Sequence, residues 1–286
     1  MRDLSTGAAV GAAVALAEEH GLRVREPVVL KDSYNVRVHL RPAPVVARVP
    51  TVTALGRPEP AEALRRELEV VSYLHRQGAP VVPPSALLPP GPHLRDGFAV
   101  SFWEYAEPAP SQEVTPEAAG RALAALHEAL RGFPGELPHL GAALDEPAHL
   151  LGLLAGDLAP GVLDRLREGL AESGARLRAR RAAPVHGDAH AGNLIAAKGG
   201  LLWNDFEESM SAPPGWDLAC LLRSGRIDGA AAVRAYGADP DGPELRDCQA
   251  ARAVQGVIWM LARARRFPDG RPAAEEALRA WLRARG

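Results

Sequence analysis

Cysteine is scarce. Cys220 and Cys248 are the only two in 286 residues. Neither has CxxC spacing, which excludes a disulfide framework and a cysteine zinc site and predicts a reducing, cytoplasmic setting. An excess of either charge is also lacking: 33 Lys and Arg stand against 35 Asp and Glu, a net of -2. That balance excludes the broad basic surface that holds a nucleic-acid backbone, so the expected partner is a small molecule and not nucleic acid. No run approaches about 18 strongly apolar residues, so no membrane span is expected. Ala8 to Ala17 is weakly apolar and Arg2 is offset by Asp3, which predicts a short amphipathic helix in place of a secretory signal. Aromatic residues are only 5%. With heavy use of Ala, Arg, Gly and Pro, this reads as codon bias without functional content.

What is present is a chain that is 47% hydrophobic, able to bury a sizeable core. At about 150 residues per domain, its length predicts two lobes or two small domains. Val28 to Leu30, Val36 to Leu40 and Val45 to Val49 are β-branched runs separated by turn residues and read as a strand meander. A helix is expected from Ala61 to His75. At about 100° per residue, Leu64, Leu68, Val71, Leu74 and His75 share one face, and Glu67 falls within it. A carboxylate on a core-facing stripe needs a partner, because an unpaired buried charge is costly. Phe98 to Tyr105 reads as another strand, and Glu107-Pro108-Ala109-Pro110 as a linker. From Thr115 onward the periodicity is helical, broken once between Pro184 and Phe206. The pattern predicts an α+β fold with a small β-rich lobe over residues 1–105 and a larger helical lobe over 106–286.

The interruption carries the chemistry. Lys198-Gly199-Gly200 reads as a three-residue hairpin loop, and centring the hairpin on Gly199 sets Asn193 opposite Asp205, with Cβ atoms about 5 Å apart. An amide oxygen and a carboxylate converging in this way suit Mg2+, a hard cation that takes oxygen ligands. Asp188, just upstream in a Gly-flanked loop, is placed to serve as a base toward a hydroxyl.

His186-Gly187-Asp188-x-His190-x-x-Asn193 followed by Asp205-Phe206-Glu207 resembles the phosphotransferase family of aminoglycoside, choline and related small-molecule kinases, with a protein-kinase-like bilobal fold. The resemblance implies that residues 1–105 bind the nucleotide and that 106–286 carry the catalytic loop and the acceptor site. Asp188 is then the catalytic base, and Asn193 and Asp205 are the Mg2+ ligands. ATP is the implied co-substrate, with GTP left open, and a hydroxyl of a small molecule is the acceptor. The family's strand lysine and helix glutamate fall at Arg48 and Glu67. Arg keeps the charge but presents a planar fork. Lys31-Asp32-Ser33-Tyr34-Asn35 has no glycine where many kinases carry a Gly-rich loop, leaving Ser33 or Asn35 as side-chain donors to the phosphates. The segment Phe102 to Ala106, with Glu104 and Ala106, corresponds to the hinge whose backbone meets the adenine. Asp217 corresponds to the aspartate that braces the catalytic loop, beside its alternative as a helix N-cap. His186 and His190 are expected to shape that loop.

Two rival readings stand beside this one. A metal-dependent hydrolase could use His186, Asp188, His190 and Asp205 as ligands. A nucleotide-binding pseudokinase is suggested by Arg48 and the glycine-free loop. His127, on the Leu123, Leu126 and Leu130 face of its helix, reads as a core histidine. The acceptor class stays open among aminoglycoside-, choline- and sugar-like molecules. A cationic acceptor would want an acidic pocket, for which Glu207, Glu208, Asp239, Asp241, Glu244 and Asp247 are candidates if they converge. Nothing in the sequence sets the oligomeric state.

Overall fold

The computed structural model describes residues 4–109 and 113–285. The chain divides into two compact units, Met1–Glu113 with Ile195–Glu207, and Val114–Leu194 with Glu208–Gly286. The division therefore falls later than residue 105, and the hairpin after residue 194 groups with the first unit. Pro110 of the expected linker lies outside the described residues.

The first unit runs α1 (Thr6–Glu19), β1 (Glu26–Asp32), β2 (Asn35–Arg41), β3 (Val45–Pro50), α2 (Thr53–Gly56), α3 (Pro60–Arg76), β4 (His93–Arg95) and β5 (Phe98–Glu104). Its strands form an antiparallel sheet in the order β1-β2-β3-β5-β4. Ser5 caps α1 by accepting the Ala8 N–H. Ala9, Ala12, Ala13, Leu16 and Ala17 then form one buried helical stripe. That stripe belongs to the same core as Val36, Val38 and Leu40 of β2 and Val45, Ala47 and Val49 of β3. Since strand side chains alternate between faces, Val46 and Arg48 of β3 lie on the face opposite that core. This alternation aims Arg48 at the site.

In α3, Leu64, Glu67, Leu68, Val71 and Leu74 are buried as the periodicity predicts, whereas His75 is exposed. The helix ends at Arg76, so His75 sits in the frayed last turn.

The second unit contains α4 (Pro116–Leu130), α5 (Glu146–Leu154), α6 (Pro160–Arg178) and β6 (Ala183–Val185). The hairpin β7 (Leu194–Ala197) and β8 (Gly200–Trp203) follows, belonging from Ile195 onward to the first unit. The chain returns through β9 (Met210–Ala212), α7 (Gly215–Leu222), α8 (Gly229–Tyr236), α9 (Pro243–Ala264) and α10 (Arg271–Arg283). Antiparallel pairing of β6 with β9 brackets the loop that bears Asp188. Among the described residues, no helix is long and apolar enough to cross a membrane.

Candidate active site

In the first unit, a cavity of about 330 Å³ is lined by apolar Leu30, Val46, Trp103, Ile195 and Phe206 and by charged Lys31, Arg37, Arg48, Glu67 and Asp205. Arg48 pairs with Glu67, so the carboxylate that had to find a partner has one. The same guanidinium also pairs with Asp205 and lies 2.8 Å from Glu207 Oε2. Arg37 pairs with the other oxygen of Asp205. Burial pushes the Glu67 carboxyl up to about 7, with Asp205 and Glu207 adding to the rise and Arg48 opposing it. One buried oxygen of Glu67 and the Nε of Arg48 have no hydrogen-bond partner among the described residues.

The hinge segment also lines this cavity through Glu104, Tyr105 and Ala106. The Glu104 N–H donates to Pro83 O (3.0 Å) and the Tyr105 N–H to Pro44 O (2.9 Å). That leaves the Ala106 N–H as the one hinge amide of the three without a partner among the described residues.

Two expectations for this unit are corrected. Asn35 is not a phosphate donor: it is buried, its Nδ2 donates to Glu207 Oε1 (2.9 Å) and its Oδ1 accepts from Thr53 Oγ1 (2.7 Å). Both ends of the amide are therefore engaged inside the lobe. Ser33 lies in the turn between β1 and β2 and does not line the cavity. Lys31 and Arg37 line it instead, and neither was singled out from the sequence. Lys31 follows a register irregularity in the β1–β2 ladder, which simple alternation does not anticipate.

The hairpin register also differs. Its strands end at Ala197 and resume at Gly200, so the loop is Lys198-Gly199, one residue shorter than expected. Asn193 is the last residue of a 3-10 turn, and Asp205 lies beyond β8 at a φ of 73°, a left-handed conformation rare outside glycine. Neither belongs to the strand ladder, so cross-strand pairing does not place them.

In the second unit, Asp188 sits in a loop clamped from below by Asp217. One oxygen of Asp217 accepts the His186 N–H (2.8 Å) and the other accepts the Gly187 N–H (2.9 Å). His127 Nε2 donates to the same carboxylate (2.8 Å), while its Nδ1 meets the Tyr236 hydroxyl (2.9 Å). Burial alone would raise the Asp217 pKa, but these donors hold it below the ordinary carboxylate range. Asp217 makes no N-cap bond to α7, which has no side-chain cap. His127 is more than a core filler: it completes the brace.

Gly187 has a φ of 92°, and a Cβ there would stand 2.0 Å from Glu208 O, so only glycine fits. The Gly187 carbonyl is held by Trp216 Nε1 (2.7 Å). His186 is fully buried and its Nδ1 accepts the Asp188 N–H (3.2 Å). His190 Nδ1 accepts the Gly192 N–H (2.9 Å), which leaves Nε2 as the protonated nitrogen, 3.4 Å from Asp188 Oδ2. Asn193 Nδ2 donates to Asp188 O (2.9 Å) and Oδ2 (3.3 Å), turning its amide oxygen away from that carboxylate.

Arg252 of α9, missed in the sequence, places Nη2 2.9 Å from Asp188 Oδ1. Burial opposes ionisation of Asp188, but the His190 hydrogen bond and the Arg252 charge prevail and hold the carboxyl well below the usual range. The Asp205 carboxylate and the Asn193 amide oxygen are each of the hard-donor kind that Mg2+ takes, Asp205 in the first unit and Asn193 in the second. The hydrolase reading fares worse: His186 and His190 each spend Nδ1 within the loop. Among the described residues no group of three or more His, Cys, Asp or Glu could hold a metal.

Five of the six acidic residues proposed for a cationic pocket have partners of their own, and the Asp241 carboxylate has none among the described residues. Glu207 is bound by Asn35, Arg48 and Arg57, Glu208 faces Arg252 at 3.7 Å, and Asp247 pairs with Arg180 at 2.6 Å. Glu244 accepts the Gly215 N–H (2.9 Å), and Asp239 accepts the Asp241 N–H (2.9 Å).

Comparison with known proteins agrees with this geometry. No curated protein matches the chain at high significance. Choline kinase LicA from Streptococcus pneumoniae is similar in structure, with a TM-score of 0.67 at 15% identity over 93% of this chain and 98% of that one. The GDP and kanamycin complex of APH(2")-IIia gives 0.64 at 13% identity over 94% and 98%. A choline/ethanolamine kinase family protein from Mesorhizobium loti gives 0.61 at 20% identity over 97% and 93%. The profile described as "Phosphotransferase enzyme family" matches residues 26–254. This match covers most of the sequence and both units, so the chain belongs to the phosphotransferase enzyme family and has its protein-kinase-like α+β fold.

Proposed function

We propose that this small-molecule phosphotransferase is an Mg-ATP-dependent kinase that moves the γ-phosphoryl group of ATP to a hydroxyl. The observation that carries the reading is Asp188, an ionised carboxylate fixed by His190, Asn193 and Arg252 on a loop whose amides are clamped by Asp217. In phosphoryl transfer the bond to the leaving group is largely broken before the nucleophile is engaged, so positioning matters more than basic strength. A carboxylate held well below its usual pKa suits this task. It orients the hydroxyl throughout and accepts the proton as the new P–O bond forms.

Arg48, Arg37 and Lys31 supply positive charge to the triphosphate, while the apolar walls of the first cavity take the adenine and the Ala106 N–H donates to its edge. Asp205 and Asn193 are the residues that would hold Mg2+, which would neutralise the charge that develops on the phosphate oxygens. Because Arg48 is engaged with Asp205 and Glu67, nucleotide binding must compete for the guanidinium. We therefore expect phosphate contact and rearrangement of this pair to occur together. The setting is proposed to be cytoplasmic. The direct test is ADP release from Mg-ATP with a panel of hydroxylated acceptors. Turnover dependent on acceptor, nucleotide and Mg2+ supports the kinase, whereas nucleotide binding without turnover on any acceptor favours the pseudokinase.

A further inference from the structure

A second cavity of about 330 Å³ lies wholly within the second unit. Two of its walls, His190 and Arg252, are the side chains that grip Asp188 at 3.4 Å and 2.9 Å. A molecule seated there lies one side chain away from that carboxylate. Arg223 and Arg226 also line the cavity, and no Asp or Glu does.

The three cations differ in what already holds them. Arg252 is committed to Asp188 and lies 3.7 Å from Glu208. Arg223 and Arg226 are exposed, and among the described residues neither side chain makes a hydrogen bond or ion pair. Arg226 leans over the Asp188 loop: its guanidinium carbon lies 3.4 Å from where a Cβ on Gly192 would stand. The turn bearing both arginines is tied to that loop, because Ser224 Oγ accepts the Ala191 N–H at 3.2 Å.

Building on the kinase reading above, we infer that this cavity is the acceptor subsite and that the acceptor is an anion. It carries the hydroxyl to be phosphorylated and also a carboxylate or phosphate group bound by Arg223 and Arg226. Guanidinium forks match such oxyanions bidentately, and two uncompensated ones attract an anion while repelling a polycation. Four of the six acidic residues considered for a cationic acceptor, Glu207, Glu208, Glu244 and Asp247, are engaged elsewhere, and none of the six lines this cavity. The volume, near the lower end of the usual range for small-molecule pockets, suits an acyclic or single-ring hydroxy acid or sugar phosphate. In the reaction, the acceptor oxygen forms a bond to the γ-phosphorus as the bond to the bridging oxygen of ADP breaks. The hydroxyl proton passes to Asp188 and then to solvent. The anionic group takes no part in these bond changes and fixes where the hydroxyl stands.

The test uses the full chain with Mg-ATP and matched acceptors: gluconate and glucose 6-phosphate, their neutral counterparts sorbitol and glucose, and cationic choline and kanamycin. Equilibrium titration of the same six compounds is run without nucleotide. The inference predicts that binding favours the anionic arm at least tenfold, and that any turnover found is confined to it. Gluconate and glucose 6-phosphate then separate carboxylate from phosphate recognition. Arg226→Ala and Arg223→Ala should each weaken anion binding about tenfold, while Arg279→Ala, on the exposed face of α10, should leave it unchanged. Turnover confined to neutral or cationic acceptors overturns the inference and leaves the kinase reading intact. Anion binding without turnover on any acceptor, lost in the two variants, supports the subsite and counts against the kinase reading. Absent anion binding, or binding unaffected by the variants, overturns the inference.

Discussion

Arg252 and Asp188 form a charge-assisted pair of 2.9 Å between residues 64 apart in the chain. Because burial is the largest influence on Asp188 and acts to raise its pKa, the ionised form depends on this partner and on His190. Arg252→Gln should raise the Asp188 pKa, because one of the groups that oppose burial is removed while His190 stays. A base must be deprotonated to act, so the acid limb of kcat/KM should move to higher pH in the variant than in wild type. Profiles of variant and wild type that superimpose would remove Arg252 from its role.

The Arg48–Glu67 pair makes a prediction in the opposite pH direction. The Glu67 carboxyl is raised to about 7 in the folded chain, from an ordinary value near 4.5. Between these values the folded state binds more protons than the unfolded state. Glu67 therefore favours folding most below its unfolded pKa, and this contribution is lost as pH rises through 7. The difference in unfolding free energy between wild type and Glu67→Gln should fall by about 3 kcal/mol from pH 4.5 to pH 8 in urea titrations.

Arg48→Ala leaves the Glu67 charge buried without compensation and should cost about 3–5 kcal/mol of stability at pH 8, and less at pH 5.5, where Glu67 can take up a proton. Arg48→Lys should recover part of both stability and ATP affinity. Double-mutant cycles with Glu67→Gln separate the two roles. Coupling in unfolding with ATP affinity unchanged would reduce the pair to a structural bridge.

At Gly187 the left-handed backbone and the approach of Glu208 O leave no room for a side chain. Gly187→Ala should cost about 2–4 kcal/mol and misplace Asp188, lowering kcat at least tenfold even in the fraction that folds. An active variant with wild-type melting would contradict the geometry of the loop.

If Asp205 and Asn193 are Mg2+ ligands, saturating ATP should raise the melting temperature by about 5 °C with Mg2+ and much less in EDTA. Asp205→Asn should abolish most of the metal-dependent increment. Equal stabilisation in EDTA would count against this ligand set.

The sequence makes local features legible and leaves their tertiary partners obscure. The Val45 to Val49 run is legible as a strand, and the apolar stripe of α3 marks Glu67 as a carboxylate in need of a cation. The Asp188 motif stands out by its spacing, and Asp217 only by the resemblance to the family. Arg252 does not, because on α9 it is one arginine among several, and only the packing of that helix against the loop selects it. Asn35 and Ser33 look available in a polar turn, yet Glu207 and Thr53 claim the Asn35 side chain from distant parts of the chain. Asp205 escapes the hairpin arithmetic because its positive φ ends the strand early, a conformation that its residue type does not announce. The paired strands β6 and β9 are three residues each, too short to show a period.

The most direct measurement of the central claim follows label from [γ-32P]ATP into an acceptor by wild type and Asp188→Asn, with nucleotide affinity determined in parallel. The account predicts Mg2+-dependent transfer to a hydroxyl by wild type. In the variant it predicts a fall of at least a hundredfold, with ATP affinity held within a few-fold, since Asp188 acts on the acceptor. Near-normal transfer by a folded Asp188→Asn protein would contradict it.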